Sequence, residues 1–110
     1  MVIKSHCKKI EILVDAPLWR RIRDQAMEMA SDGYTLQPTL GGEGARGRWF
    51  DDQVTGGAGS KVVFTTVLEE EAASRFLDAL EPMLEAYGLM VTVTTVEVVR
   101  AVSGPSSNSD

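Results

Sequence analysis

The sequence is poor in the residues from which metal sites, disulfide scaffolds and most active sites are assembled. Its 110 residues include one cysteine, Cys7, and one histidine, His6. A lone cysteine cannot staple a small secreted domain, which points to a reducing, cytoplasmic setting. The single histidine has no second imidazole with which to build a metal centre, and a non-enzymatic chain is expected. No apolar run approaches the roughly 18 residues of a membrane helix. The opening MVIKSHCKKIEI lacks the apolar block of a signal peptide. A net charge of −5 argues against wholesale nucleic-acid binding.

What is present is unevenly distributed. Residues 1–68 carry nine Lys/Arg and eight Asp/Glu, a balance of +1. Residues 69–85 carry Glu69, Glu70, Glu71, Asp78, Glu81 and Glu85 against Arg75, a balance of −5, and residues 86–110 add −1. The acidity therefore belongs to one segment, read as the solvated face of a helix.

The patterning predicts four strands and two helices. Residues 8–15 alternate, with Ile10, Ile12 and Val14 on one face of a half-buried strand. Asp15 or Ala16 is placed to cap a helix with Pro17 in its first turn, and Leu18, Ile22, Ala26 and Met29 form its inner stripe. Gly33 is the expected stop. Tyr34, Leu36 and Leu40 alternate in a second strand, which Pro38 confines to an edge or a bulge. KVVFTTVL, residues 61–68, is a third strand, apolar on both faces. A second helix begins at Glu69-Glu70-Glu71, with acids favourable to its dipole, and Pro82 is expected to kink or end it. The last strand changes phase between Val91/Val93 and Val96/Val98, which requires a bulge or a change of buried face.

This β-α-β-β-α-β order is the ferredoxin-like, split βαβ pattern of an α+β domain: a four-stranded antiparallel sheet with helices on one face. The domain spans residues 1–102, and the Pro/Gly/Ser-rich residues 103–110 read as a disordered tail. The opposite sheet face presents Leu13, Val63 and Val67, so a chain of this size is expected to oligomerise.

The informative stretch is residues 41–60, GGEGARGRWFDDQVTGGAGS, which holds seven of the ten glycines. A loop of this length within a compact domain is functional or disordered. Glycines let backbone N–H groups form an anion-binding concavity, and Arg46 and Arg48 supply forked, permanently charged donors for phosphate oxygens. No GK[ST] is present, so this is not a Walker motif. Trp49-Phe50 reads either as a locally packed pair or as a partner-binding anchor. Asp51-Asp52 reads as a solvated pair, with a divalent-ion site as the alternative.

Four features together resemble the PII signal-protein superfamily: GYTL from Gly33 into the second strand, the GGEGARGR loop, SKVV from Ser60, and EVVR from Glu97. The resemblance covers residues 8–102. It is closer to the PII-like branch linked to bicarbonate uptake and carboxysomes than to the nitrogen regulators. It implies a compact homotrimer with adenine-nucleotide sites in clefts between subunits, a T-loop at residues 41–60 that controls a transporter or enzyme, and a shortened B-loop near Tyr87-Gly88. By this resemblance Gly41, Gly42 and Gly44 form the T-loop base around the phosphates, with Arg46 and Arg48 as phosphate ligands. Thr35 matches a position lining the adenine pocket, and Lys61 the lysine that braces the T-loop base. Tyr87 and Gly88 face the nucleotide, and Arg100 matches an arginine used on phosphates.

The departures refine the expected ligand. Gly47 stands where the nitrogen regulators carry a glutamine for Mg-ATP and 2-oxoglutarate, so 2-oxoglutarate sensing is not expected. Residues 41–60 contain no tyrosine for uridylylation, and their one serine, Ser60, is at the base. No lysine follows Lys61, which favours ADP or AMP over a triphosphate; cyclic AMP is a further ligand of the branch. Bicarbonate is a candidate anion beside Arg46 and Arg48, and a bicarbonate transporter or carboxysome-linked protein a candidate target. The rival readings are a ferredoxin-like docking protein with no small ligand and a weak nucleotide phosphatase using Asp51, Asp52 and a metal. An amino-acid-binding regulatory domain shares the element order but has a shorter loop after its second strand.

Overall fold

A computed structural model describes residues 1–29, 31–44, 47–50 and 60–102. Strand β1 (Val2–Asp15) leads through a 3-10 turn (Ala16–Leu18) into helix α1 (Trp19–Glu28). Strand β2 (Tyr34–Pro38) is followed by two short strands, β3 (Gly41–Gly44) and β4 (Gly47–Phe50). Strand β5 (Lys61–Leu68), helix α2 (Glu70–Tyr87) and strand β6 (Met90–Ala101) complete the chain. β2, β5, β1 and β6 form one antiparallel sheet in that order, and β3 and β4 form a separate hairpin. The chain thus has the expected α+β, ferredoxin-like architecture.

The alternation along β1 decides which face is covered. Ile10, Ile12 and Val14 point one way, and antiparallel pairing sets them beside Thr66, Phe64 and Val62 of β5. Phe64 lies between Ile12 and Leu36 in register and stacks on Tyr34 with ring centroids 5.2 Å apart. α1 buries Ile22 and Ala26 against this face, and α2 buries Ala73, Phe76 and Leu80. The opposite face carries an apolar row, Val63–Leu13–Met90, aligned across three strands. Thr66 sits in the buried layer without cost because its hydroxyl donates to the Gly33 carbonyl at 2.9 Å and meets Ser31 Oγ at 2.7 Å.

Several boundaries differ from the sequence reading. β1 starts at Val2 rather than Lys8, because pairing with β6 extends it through residues that show no alternation of their own. That ladder runs without interruption from Val2↔Ala101 to Leu13↔Met90, so the phase change in β6 is not a bulge. Cys7 is buried although it lies on the opposite strand face from Ile10, and β1 changes phase opposite β6. α1 ends at Glu28, with Met29 as its cap, ahead of Gly33. β2 is an edge strand and stops at Pro38, leaving Leu40 88% exposed. There the N–H and hydroxyl of Thr39 both turn to the Lys61 carbonyl, at 3.2 and 2.6 Å.

Pro82 neither ends nor breaks α2, which continues to Tyr87 and closes on Gly88 in the left-handed conformation. Packing of Phe76 and Leu80 on one side of Pro82 and of Met83 and Leu84 on the other carries the helix across the missing N–H. Proline in a helix interior nonetheless costs about 3 kcal/mol relative to alanine. Pro82→Ala is therefore expected to stabilise the fold by about 1–2 kcal/mol after the loss of unfolded-state restriction. A thermal unfolding midpoint several degrees above the parent checks this.

Candidate functional site

Six of the twelve sequence-predicted residues line a cleft of about 600 Å³ at the end of the sheet where β5 begins. β5 supplies Lys61, and the hairpin supplies Gly44, Gly47, Arg48 and Trp49. The end of α2 supplies Tyr87 and Gly88, and the floor is formed by Leu13, Asp15 and residues 89–91. Gly88 is suited to this place by its backbone, with φ of 61° and its N–H donating to the Leu84 carbonyl at 3.0 Å.

The cations of the cleft have acidic partners. Lys61 Nζ donates to Asp15 Oδ1 at 2.7 Å. Asp15 occupies the cap position ahead of the 3-10 turn, yet its carboxylate makes no cap bond and serves Lys61 instead. Arg48 Nε donates to Glu43 Oε1 at 2.9 Å across the hairpin. The Tyr87 hydroxyl accepts from Arg21 Nη1 at 3.2 Å, which ties α1 to the rim. Net positive charge in the cleft is thus small, and an anion entering it meets donors that are already oriented.

Thr35 and Arg100 are not in this cleft. They line a second one of about 650 Å³, together with Cys7, Asp32, Thr65, Glu69 and Arg75. Arg100 Nη2 donates to Asp32 Oδ2 at 2.9 Å, and that hydrogen bond, with the carboxylate's charge, raises the guanidinium pKa further. Lys61 begins β5 and lines the first cleft, whereas residues 65–68 line the second. Seven residues of strand separate Lys61 from Leu68, roughly 24 Å.

Gly41, Gly42, Trp49 and Phe50 lie on the hairpin, where Gly41 pairs with Phe50 and Gly42 with Trp49. The stretch read as loop is therefore partly a ladder. Trp49 and Phe50 part company: the indole is half-buried and donates from Nε1 to Thr39 Oγ1 at 2.9 Å, while Phe50 is 67% exposed. Gly42 has a packing reason to be glycine, since a Cβ there would stand 2.5 Å from the Trp49 ring. Arg46, Asp51, Asp52 and residues 103–110 lie outside the described residues. Among the described residues no three His, Cys, Asp or Glu side chains converge as a metal site. No helix among them is long and apolar enough to cross a membrane.

Four contributors escaped the sequence reading: Asp15, Thr39, Glu43 and Arg21. Asp15 was legible in principle, because antiparallel pairing of β1 with β5 sets it opposite Lys61. Thr39 and Arg21 act through contacts 22 and 66 residues away in the chain, which no local pattern encodes.

Comparison with known proteins bears on this arrangement. The profile of the family described as nitrogen regulatory protein P-II matches residues 7–103. No curated protein matches the sequence. Among solved structures, the fold is similar to CPII, a nitrogen regulatory PII-like protein from Thiomonas intermedia K12 bound to ADP, AMP and bicarbonate. That likeness has a TM-score of 0.79 at 22% identity, covering 87% of this chain and 91% of that one. A PII-like signalling protein from Thermus thermophilus is similar with a TM-score of 0.72 at 27% identity, over 86% of this chain and 91% of that one. A DUF3240 family protein from Shewanella baltica reaches 0.65 at 13% identity, over 84% and 91%.

Proposed function

The chain belongs to the nitrogen regulatory protein P-II family, a family of signalling proteins, and from that membership we propose that it is a sensor of ADP and AMP acting as a homotrimer. The observation that carries the reading is the convergence of Lys61, Arg48, Tyr87 and Gly88 on one cleft, reached from three separate elements. Lysine and arginine side chains with a glycine-rich backbone suit the phosphates, and Tyr87 offers a ring to the nucleoside. Thr35 and Arg100 complete the site from the other cleft. Because that cleft lies at the far end of β5, they reach the same nucleotide only from a neighbouring copy. Val63 and Val67, on the sheet face away from Phe64 and outside the first cleft, supply an apolar surface for that neighbour.

CPII, bound to bicarbonate as well as to ADP and AMP, supports bicarbonate as a second ligand beside Arg46 and Arg48. Ligand charge then fixes the arginines and changes the surface that the segment 41–60 offers to a target in inorganic-carbon metabolism. The target is a bicarbonate transporter or a carboxysome-linked protein in this reading, and Phe50 is the exposed aromatic available to it. The role is signalling rather than catalysis.

Calorimetry with ADP and AMP tests the proposal. Saturable heat at sub-millimolar nucleotide, with a matching rise in the unfolding midpoint, is the expected result. No heat and no thermal shift at millimolar ADP, AMP and cyclic AMP would overturn it in favour of a docking protein without a small ligand.

A further inference from the structure

We infer that Trp49 and Thr39 are positioning residues of the Lys61 cleft: together they latch the β3–β4 hairpin to the sheet and hold Arg48 beside Lys61. What the cleft takes rests on the nucleotide reading above; the latch rests on geometry alone. Of the eight residues in the two hairpin strands, four are glycine, Gly41, Gly42, Gly44 and Gly47. A two-stranded hairpin is marginal by itself, and glycine gives a strand nothing to pack. The Glu43–Arg48 pair contributes little, because its side chains are 66% and 72% exposed. Phe50 points to solvent. Trp49 remains.

The indole is held on three sides. Its ring lies against Gly42, where a Cβ would be 2.5 Å away. Lys61 Nζ stands 5.5 Å from the ring centroid on its way to Asp15, within cation–π range. Nε1 donates to Thr39 Oγ1 at 2.9 Å, and Thr39 Oγ1 donates to the Lys61 carbonyl at 2.6 Å. The Thr39 hydroxyl gives its one proton to the Lys61 carbonyl and accepts the indole N–H on one of its two lone pairs. The contacts run from hairpin to β5 to β1 without a gap. They fix the residue next to Arg48, and so fix the arm from which Arg48 faces the cleft.

Tryptic cleavage after Arg48, followed by mass spectrometry on the full chain, reads the latch without any ligand, and ADP calorimetry reads its effect on the cleft. Thr39→Val keeps the shape and removes the hydroxyl. It is expected to speed cleavage about fivefold and to weaken ADP about threefold, with the unfolding midpoint within about 2 °C of the parent. Trp49→Ala is expected to exceed tenfold in both, and Trp49→Phe, which keeps a ring on Gly42, to recover part of each. Cleavage of Thr39→Val and Trp49→Ala at the parental rate would remove the latch. Faster cleavage with parental ADP affinity in Trp49→Ala would remove the positioning role. Absence of ADP binding in the parent would remove the nucleotide reading, and cleavage alone would then decide the latch.

Discussion

Lys61→Met is expected to weaken ADP binding by roughly a hundredfold or more, the largest ligand effect of any single substitution among the described residues. A charge-assisted hydrogen bond is worth about 1.5–3 kcal/mol, or roughly ten- to a hundredfold in affinity. The second contribution comes from Asp15. Its carboxylate now neutralises Lys61 at 2.7 Å and lines the same cleft. With methionine at position 61 that negative charge is left facing the incoming phosphates, so attraction is replaced by repulsion. The double variant Lys61→Met/Asp15→Asn is therefore expected to recover part of the loss. Lys8→Ala is the control: it removes a cation bonded to Thr95 Oγ1, outside both clefts, and is expected to leave affinity within about twofold. Equal weakening by the Lys61 and Lys8 variants in ADP titrations would show that only net charge matters, and would remove Lys61 from the site.

The largest stability effect is expected from Phe64→Ala. Phe64 is fully buried, sits between Ile12 and Leu36 in the sheet, and carries the stacked ring of Tyr34. Truncating a buried phenylalanine costs about 3–5 kcal/mol, because the cavity closes only in part. For a domain of this size that corresponds to a fall in unfolding midpoint of roughly 12 °C or more. Phe64→Leu, which keeps most of the volume, is expected to cost about 1–2 kcal/mol. Circular dichroism melts of the two variants check the ordering. A fall of only two or three degrees for alanine would place the centre of the core elsewhere.

The fold was legible because its core obeys simple periods. Ile10, Ile12 and Val14 alternate in a strand, and Ile22, Ala26, Phe76 and Leu80 recur at helical spacing, so the element order followed from local patterns. Tertiary context governed the places where the reading and the structure differ. The first half of β1 has no alternation and is a strand through its pairing with β6. Pro82 carries a strong local signal against helix, outweighed by the packing of residues on both sides of it. Leu40 continued an alternating pattern, but Thr39 turns the chain away before it.

The candidate site rested in part on a resemblance and not on local pattern, and its supports were not legible in either. Arg48, read from the glycine-arginine loop, and Lys61, Tyr87 and Gly88, implied by the PII resemblance, line one cleft. Thr35 and Arg100 were named with them but lie in the other. Nothing local in the sequence distinguishes one group from the other, since the separation is created by the length of β5. From sequence Trp49 reads either as a packed ring or as a partner anchor, because Thr39, whose hydroxyl accepts the indole N–H, is ten positions away.

The contact between Gly42 and Trp49 has a consequence for how this chain can change over generations. With the ring where it is, a Cβ at position 42 would stand 2.5 Å from it, so a side chain there requires the indole to move. The position opens once Trp49 has given way to something smaller, at the expense of the hydrogen bond to Thr39. Substitutions at these two sites are therefore energetically coupled: a side chain at 42 displaces the indole, and a smaller residue at 49 removes the obstacle.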